Sequence, residues 1–124
     1  MAQFERLTVY NTVLAEGMVP LFYHADAEVA RQVVAALARG GSHVVEFTNR
    51  GDYAIEVLSA LTKFCRAELP GMIVGVGSVE DAATAALYAA HGANFIVGPT
   101  FSEEVARFCN RRKLAYMPGC GTLN

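Results

Sequence analysis

The sequence lacks the cysteine spacings that mark disulfide frameworks and metal sites. Its three cysteines, Cys65, Cys109 and Cys120, form no CxxC pair and no His-Cys pattern. An odd number of scattered cysteines is typical of reduced thiols, and the polar N-terminal residues lack the apolar stretch of a signal peptide. We therefore expect a cytoplasmic protein whose cysteines hold no metal.

Long apolar runs and clusters of like charge are also absent. No run of about 18 apolar residues occurs, so we expect no membrane-spanning segment. The formal net charge is -2 and the basic residues are scattered along the chain, which disfavours nucleic acids and anionic membranes as partners. A composition with 53% hydrophobic and 18% charged residues instead indicates a globular protein, and 124 residues favour one domain.

What the chain does contain is a repeated unit, a short apolar segment followed by a longer amphipathic one. The apolar segments predict strands at residues 19–23, 43–48, 72–76, 94–98 and 115–117. The amphipathic stretches predict helices at residues 27–39, 53–68, 79–91 and 103–112, after a leading helix at residues 3–16. Residue types at the helix ends predict N-caps at Asp26, Asp52, Ser78 and Ser102, and left-handed ends at Gly40 and Gly92.

This alternation predicts an α/β fold with a parallel sheet that is buried on both faces. The regular spacing of the units is close to that of an eight-fold (β/α) TIM barrel. A dinucleotide-binding sheet is disfavoured, because GVGS at residues 75–78 follows the third strand and lacks a third glycine. Since a complete barrel needs at least about 200 residues, we expect residues 1–124 to supply an N-terminal helix and strands one to five of a single barrel domain.

The active site of such a barrel lies at the C-terminal ends of its strands, where Glu46, Arg50, Ser78 and Pro99 are predicted to lie. Glu46 stands among apolar residues, so desolvation should raise its pKa toward the range useful for general acid/base catalysis, although a nearby Arg50 would oppose this shift. The alternative interpretation is a structural ion pair between Glu46 and Arg50.

Two of the other candidates also have two interpretations each. Arg50 is suited to bind a carboxylate through two hydrogen bonds, or it is a solvated surface residue. Ser78 is either a helix N-cap, with Asp81 completing a capping box, or a hydroxyl donor to a ligand. The two lysines of the sequence, Lys63 and Lys113, fall on predicted outer helices and are expected to be solvated.

Five segments in sequence order resemble one known family: VPLFYHADAEVA, VVEFTNR, GVGSV, NFIVGP and YMPGCGT. They are similar to the 2-keto-3-deoxy-6-phosphogluconate (KDPG) and 4-hydroxy-2-oxoglutarate (KHG) aldolases. The resemblance implies a trimeric (β/α) barrel that reversibly cleaves its substrate into pyruvate and an aldehyde, either glyceraldehyde 3-phosphate or glyoxylate. It also implies a class I mechanism, in which a lysine forms a Schiff base and neither a metal nor another cofactor takes part.

The resemblance assigns a role to each candidate residue. Glu46, in the pattern E-x-T-x-R, is expected to move protons during carbinolamine dehydration and carbon-carbon cleavage. Arg50 and Ser78 are expected to bind oxygens of the substrate, and Pro99 to pack against its pyruvyl part. The family's Schiff-base lysine lies on strand six, so we expect this sequence to lack it, together with the phosphate-binding loops after strands seven and eight.

Two departures and two alternatives accompany this interpretation. Ser78 stands where many members have threonine, and Thr100 replaces a glycine, so substrate preference is open. A non-catalytic fragment or assembly module, completed by another chain, is the first alternative. Another phosphate-binding barrel, such as a thiamine phosphate synthase, is the second, and the E-x-T-x-R segment disfavours it.

Overall fold

A computed structural model describes residues 2–122 of the chain. A leading helix, α1 (Arg6–Glu16), precedes a regular alternation of strands and helices. The strands are β1 (Leu21–Phe22), β2 (Val44–Thr48), β3 (Ile73–Gly77), β4 (Phe95–Gly98) and β5 (Ala115–Pro118). The helices between them are α2 (Ala27–Arg39), α3 (Ala54–Glu68), α4 (Ala82–Ala90) and α5 (Glu103–Arg112). The predicted order of the elements is confirmed.

The strands form one parallel sheet in the order β1-β2-β3-β4-β5, so each strand pairs with the next one along the chain. This order is that of one side of a (β/α) barrel. Within residues 2–122, β1 and β5 each have one edge to which no strand is paired. β1 is shorter than predicted, and Pro20 before it has no N–H group to extend the pairing.

The two faces of the sheet pack against different layers. The outward face packs under the helices through a large cluster that includes Val45, Phe47, Val74, Val76, Leu58 and Leu61. The first residues of β2 to β5 face inward and form a second cluster with Val9 of α1, namely Val44, Ile73, Phe95 and Ala115. Helix α1 therefore closes the N-terminal end of the inner face, and the C-terminal end is left for the candidate site.

Two of the four predicted N-caps are confirmed. The side chains of Asp26 and Ser102 accept hydrogen bonds from backbone N–H groups in the first turns of α2 and α5. The prediction for Asp52 is wrong, because the residue that precedes α3 is Tyr53. Tyr53 adopts a left-handed conformation with φ 60° and makes no side-chain cap.

Ser78 is also wrong as an N-cap, because α4 begins later than predicted. Asp81 caps this helix instead, and its carboxylate accepts hydrogen bonds from the N–H group of Thr84 at 2.7 Å and from the Thr84 hydroxyl at 2.8 Å. These two bonds lower the pKa of Asp81. The N-cap of α4 is therefore Asp81, and Ser78 lies in the loop after β3 without a capping function.

The left-handed end of α2 lies one residue later than predicted. Gly40 continues the right-handed turn with φ -77°, and its N–H group donates to the Ala36 carbonyl at 3.0 Å. Gly41 adopts the left-handed conformation instead, with φ 97°. Gly92, with φ 102°, is left-handed after α4 as predicted.

Candidate active site

The four predicted site residues lie at one end of the sheet. Glu46 belongs to β2 and Arg50 follows this strand, whereas Ser78 and Pro99 come directly after β3 and β4. The C-terminal ends of parallel strands meet at the same edge, so the structure brings these residues together. Glu46 is buried, Ser78 is half-buried, and Arg50 and Pro99 are exposed. Glu46 is thus the buried member of the set, and the other three residues are more accessible.

Two glycines of β3 leave space for side chains on the inner face, and one of these side chains is Glu46. A side chain at Gly77 would overlap the Glu46 carboxyl, and a side chain at Gly75 would overlap the ring of Phe95. Both glycines face inward, because alternate residues of a strand share a face. The GVG segment of β3 therefore forms the floor of the site, a role that the sequence analysis missed although the glycine spacing signals it.

Burial dominates the electrostatics of Glu46. The residue is only 8% exposed, and burial raises the pKa of its carboxyl, while the positive charge of Arg50 partly opposes this shift. Both effects were expected from the sequence, and both are confirmed in direction. A carboxyl with a raised pKa can hold or release a proton closer to neutral pH than an ordinary glutamate.

The positive charge of Arg50 influences the Glu46 carboxyl although the two side chains do not form an ion pair. Within residues 2–122, the carboxylates in contact with a basic side chain are Glu28 with Arg31, Glu16 with the His43 ring and Glu103 with Arg107. The alternative interpretation, a structural ion pair that neutralises Glu46, is therefore not what the structure contains. Arg50 is exposed after the C-terminal end of β2, at the edge of the sheet that forms the mouth of the site, so a ligand carboxylate can reach its guanidinium.

Neighbouring elements hold the turn that carries Arg50. The N–H group of Asn49 donates to the Gly77 carbonyl at 2.9 Å, which extends the contact between β2 and β3. The Asn49 side-chain oxygen accepts a hydrogen bond from the Tyr88 hydroxyl of α4 at 2.6 Å. No local pattern in the sequence points to this contact between Asn49 and Tyr88, because the two residues are 39 positions apart.

Ser78 has a strained backbone, with φ 60°. The left-handed region costs a non-glycine residue roughly 1–2 kcal/mol, and such residues cluster at functional sites. The following N–H group, that of Val79, donates to the Val97 carbonyl at 3.1 Å and fastens the loop to β4. This bond holds the segment in place directly after Ser78.

Neither lysine faces the site. Lys63 is exposed on α3, and Lys113 is exposed at the C-terminal end of α5, so the predicted outer location of both is confirmed. Within residues 2–122, no group of three His, Cys, Asp or Glu side chains is arranged to hold a metal ion. The same part of the chain has no helix with the length and apolar character of a membrane span.

Comparison with known sequences identifies relatives of the chain. Residues 9–124 match the family model described as KDPG and KHG aldolase. A 2-dehydro-3-deoxy-phosphogluconate aldolase of Pseudoalteromonas atlantica is 30% identical over 113 residues, which cover 90% of this chain and 51% of the relative. A KHG/KDPG aldolase of Escherichia coli is 29% identical over 118 residues, which cover 94% and 54%. The chain thus spans about half the length of the curated relatives it matches.

Solved structures agree with this result. A Zymomonas mobilis KDPG aldolase superposes with a TM-score of 0.71 at 28% identity, covering 81% of this chain and 46% of that one. A Legionella pneumophila KDPG aldolase, with pyruvate captured as a covalent carbinolamine intermediate, gives 0.74 at 26%, covering 85% and 49%. The fold is accordingly part of an α/β barrel, and this chain belongs to the KDPG and KHG aldolase family.

Proposed function

We propose that this chain carries the proton-transfer and carboxylate-binding part of a class I aldolase site. The proposed substrates are KDPG, KHG or both, and the products are pyruvate and an aldehyde. The observation that carries the proposal is the buried Glu46 carboxyl on β2, whose pKa is raised by burial and on which the charge of Arg50 acts. Glu46 is the general acid and base, Arg50 and Ser78 bind substrate oxygens, and Pro99 packs against the pyruvyl carbons.

The proposed chemistry needs an amine that these residues serve. The amine adds to the C2 carbonyl, and Glu46 gives a proton to the resulting hydroxyl, which leaves as water and forms the iminium. Glu46 then takes the proton of the C4 hydroxyl while the C3–C4 bond breaks, and the bonding electrons move into the iminium to give an enamine. We place this amine on a lysine outside the sequence, because Lys63 and Lys113 are exposed on the outer layer.

The test of Glu46 uses a version of the chain extended to the full length of its relatives. Glu46→Gln should lower turnover by about 100-fold or more, because an amide side chain cannot give or take a proton near neutral pH. Glu56→Gln is the matched control, since Glu56 is exposed on α3 and should leave turnover unchanged. Circular dichroism establishes whether both variants fold. Near wild-type turnover of Glu46→Gln would contradict the role of Glu46 as general acid and base.

Borohydride trapping tests where the amine lies. Incubating the 124-residue chain with pyruvate and borohydride should give no stoichiometric adduct, because a nucleophilic lysine must be desolvated and Lys63 and Lys113 are solvated. The extended version should be trapped at a lysine outside this sequence. Mass spectrometry that finds one pyruvyl adduct per chain on either of these two lysines would overturn the proposal.

A second candidate function is that of an assembly module completed by another chain. Within the described residues 2–122, β1 and β5 each have an edge without a paired strand, which favours this candidate because such edges readily pair with further strands. Sedimentation of the chain should then reveal oligomers or aggregates, whereas a monodisperse monomer that unfolds cooperatively would contradict this candidate.

By family resemblance we further propose a trimer in the cytoplasm that acts on a small-molecule substrate.

A further inference from the structure

The turn at residues 49–51 places Arg50 between two anchored neighbours. The Arg50 side chain itself is exposed, and its positive charge acts on the Glu46 carboxyl. A long, solvated side chain samples many rotamers, so its average position depends on how firmly its backbone is held. The groups that fix residues 49 and 51 therefore decide how closely the guanidinium stays to Glu46.

Helix α4 anchors the first neighbour. Tyr88 is 2% exposed, and its hydroxyl donates to the Asn49 side chain at 2.6 Å while the Asn49 backbone is bonded to β3. Burial and the neighbouring Tyr23 raise the pKa of Tyr88, so its hydroxyl keeps the proton that it donates. Asn49 is thus bound through its backbone to one element and through its side chain to another.

The loop after β1 anchors the second neighbour. The Tyr23 hydroxyl occupies the space that a side chain at position 51 would fill, so the ring can lie directly on Gly51. The Tyr23 ring in turn packs against Phe47 of β2, with 5.7 Å between ring centroids. The Gly51 carbonyl accepts a hydrogen bond from the Ala54 N–H group at 3.2 Å, which joins the turn to the start of α3.

We propose that Tyr88 and Tyr23 are positioning residues that clamp the turn at residues 49–51 and so hold the Arg50 guanidinium at the mouth of the site beside Glu46. Neither tyrosine needs to touch the substrate for this role. The inference rests on the proposed function of Arg50 as a carboxylate ligand. It adds that α4 and the loop after β1 set the distance between the two charged groups.

Titration of the Glu46 carboxyl by NMR reports how closely the Arg50 charge lies to it, and this measurement requires no catalytic activity. Arg50→Gln removes the positive charge and defines the largest upward shift that loss of Arg50 can produce in the Glu46 pKa. Tyr88→Phe keeps the ring but frees the turn, so the Glu46 pKa should rise by a fraction of that shift. In the Arg50→Gln background, Tyr88→Phe should produce no further shift, because no charge remains to be displaced.

Tyr10→Phe is the matched control. The Tyr10 hydroxyl bonds the backbone of Tyr116, donating to its carbonyl at 3.2 Å and accepting from its N–H group at 2.9 Å, at a distance from the turn along the sheet. Its loss should leave the Glu46 pKa unchanged. The clamp is refuted if Tyr88→Phe also leaves it unchanged, or shifts it equally with and without Arg50. Asn49→Ala replaces Tyr88→Phe in the same test if the latter fails to fold.

Pyruvate added to the same samples separates the two proposals. Pyruvate that binds wild type and binds Tyr88→Phe more weakly supports both the clamp and the carboxylate role of Arg50. Absence of pyruvate binding in every variant counts against Arg50 as a carboxylate ligand, and the Glu46 titration then still decides whether the tyrosines hold Arg50 in place.

Discussion

The two ends of the sheet each bury a polar residue, and the two residues differ in their partners. Asn94 is 3% exposed at the N-terminal end, where its side-chain oxygen accepts from the N–H groups of Gln3 and Phe4 and its amide donates to the Val74 carbonyl. Glu46 is 8% exposed at the C-terminal end, where burial and the charge of Arg50 determine its pKa with no hydrogen bond among the causes. A buried group whose hydrogen bonds are made within the fold stabilises it, whereas a carboxyl whose pKa is set by burial and a nearby charge is available for proton transfer.

The strongest test of this contrast is to remove Asn94. Asn94→Ala should lower the free energy of unfolding by about 2–3 kcal/mol, because the N–H groups of Gln3 and Phe4 lose their acceptor. The Val74 carbonyl keeps the hydrogen bond from the backbone N–H group of residue 94. Urea unfolding measures this loss, with Asn11→Ala, an exposed position on α1, as the control that should change little. The Glu46 pKa should be unaffected. A loss below about 0.5 kcal/mol would mean that Asn94 does not fasten the N-terminal segment.

Filling the floor of the site should have the next largest effect. Gly77→Ala places a methyl group where the Glu46 carboxyl lies, so the side chain must move toward water. We expect a loss of about 1–2 kcal/mol from overpacking, together with a fall of the Glu46 pKa toward its ordinary value as desolvation is relieved. NMR titration of Glu46 in this variant checks the second effect, and an unchanged pKa would show that Gly77 does not shape its environment.

The sequence predicted the frame of the molecule better than the details of its site. Alternating apolar and amphipathic segments predicted every strand and helix, since burial on both faces of a parallel sheet leaves a strong pattern. The order of strands and helices also predicted that Glu46 and Arg50 lie toward the C-terminal end of β2. The prediction of Ser78 as an N-cap was wrong because Asp81, three residues later, is also a favourable N-cap residue. The structure uses Asp81, whose carboxylate accepts a hydrogen bond from the Thr84 N–H group.

The contacts that tune the site could not be predicted, because they join residues that are distant in sequence. Tyr88 reads as an ordinary apolar position of α4, and only the packing of that helix brings its hydroxyl to Asn49. Asn94 gave no signal either, since its partners belong to the segment before α1. Periodicity reports which face a residue occupies, and it contains no information on which group lies opposite.

Replacing the buried carboxyl should make stability less dependent on pH. A raised pKa means that the folded state binds the Glu46 proton more tightly than the unfolded state, so its contribution is fully present below about pH 4 and is lost as pH rises through the raised value. Glu46→Gln should therefore be more stable than wild type at pH 7 and show no such gain at pH 4. Urea unfolding at both values measures this, and an equal difference at both would contradict the raised pKa.

The smallest expected effect concerns the ion pair at the N-terminal end. The Glu16 carboxylate accepts from the N–H group of His43 at 2.8 Å and lies 2.8 Å from its ring Nδ1. The His43 side chain is 66% exposed, so solvent screens the pair and its worth is about 0.5 kcal/mol. A double-mutant cycle of Glu16→Gln and His43→Gln, measured by urea unfolding, should give a coupling energy of this size. A coupling above about 1.5 kcal/mol, well beyond that of an ordinary exposed pair, would mean that charge rather than the Asn94 amide fastens this end, and the contrast with Glu46 would fail.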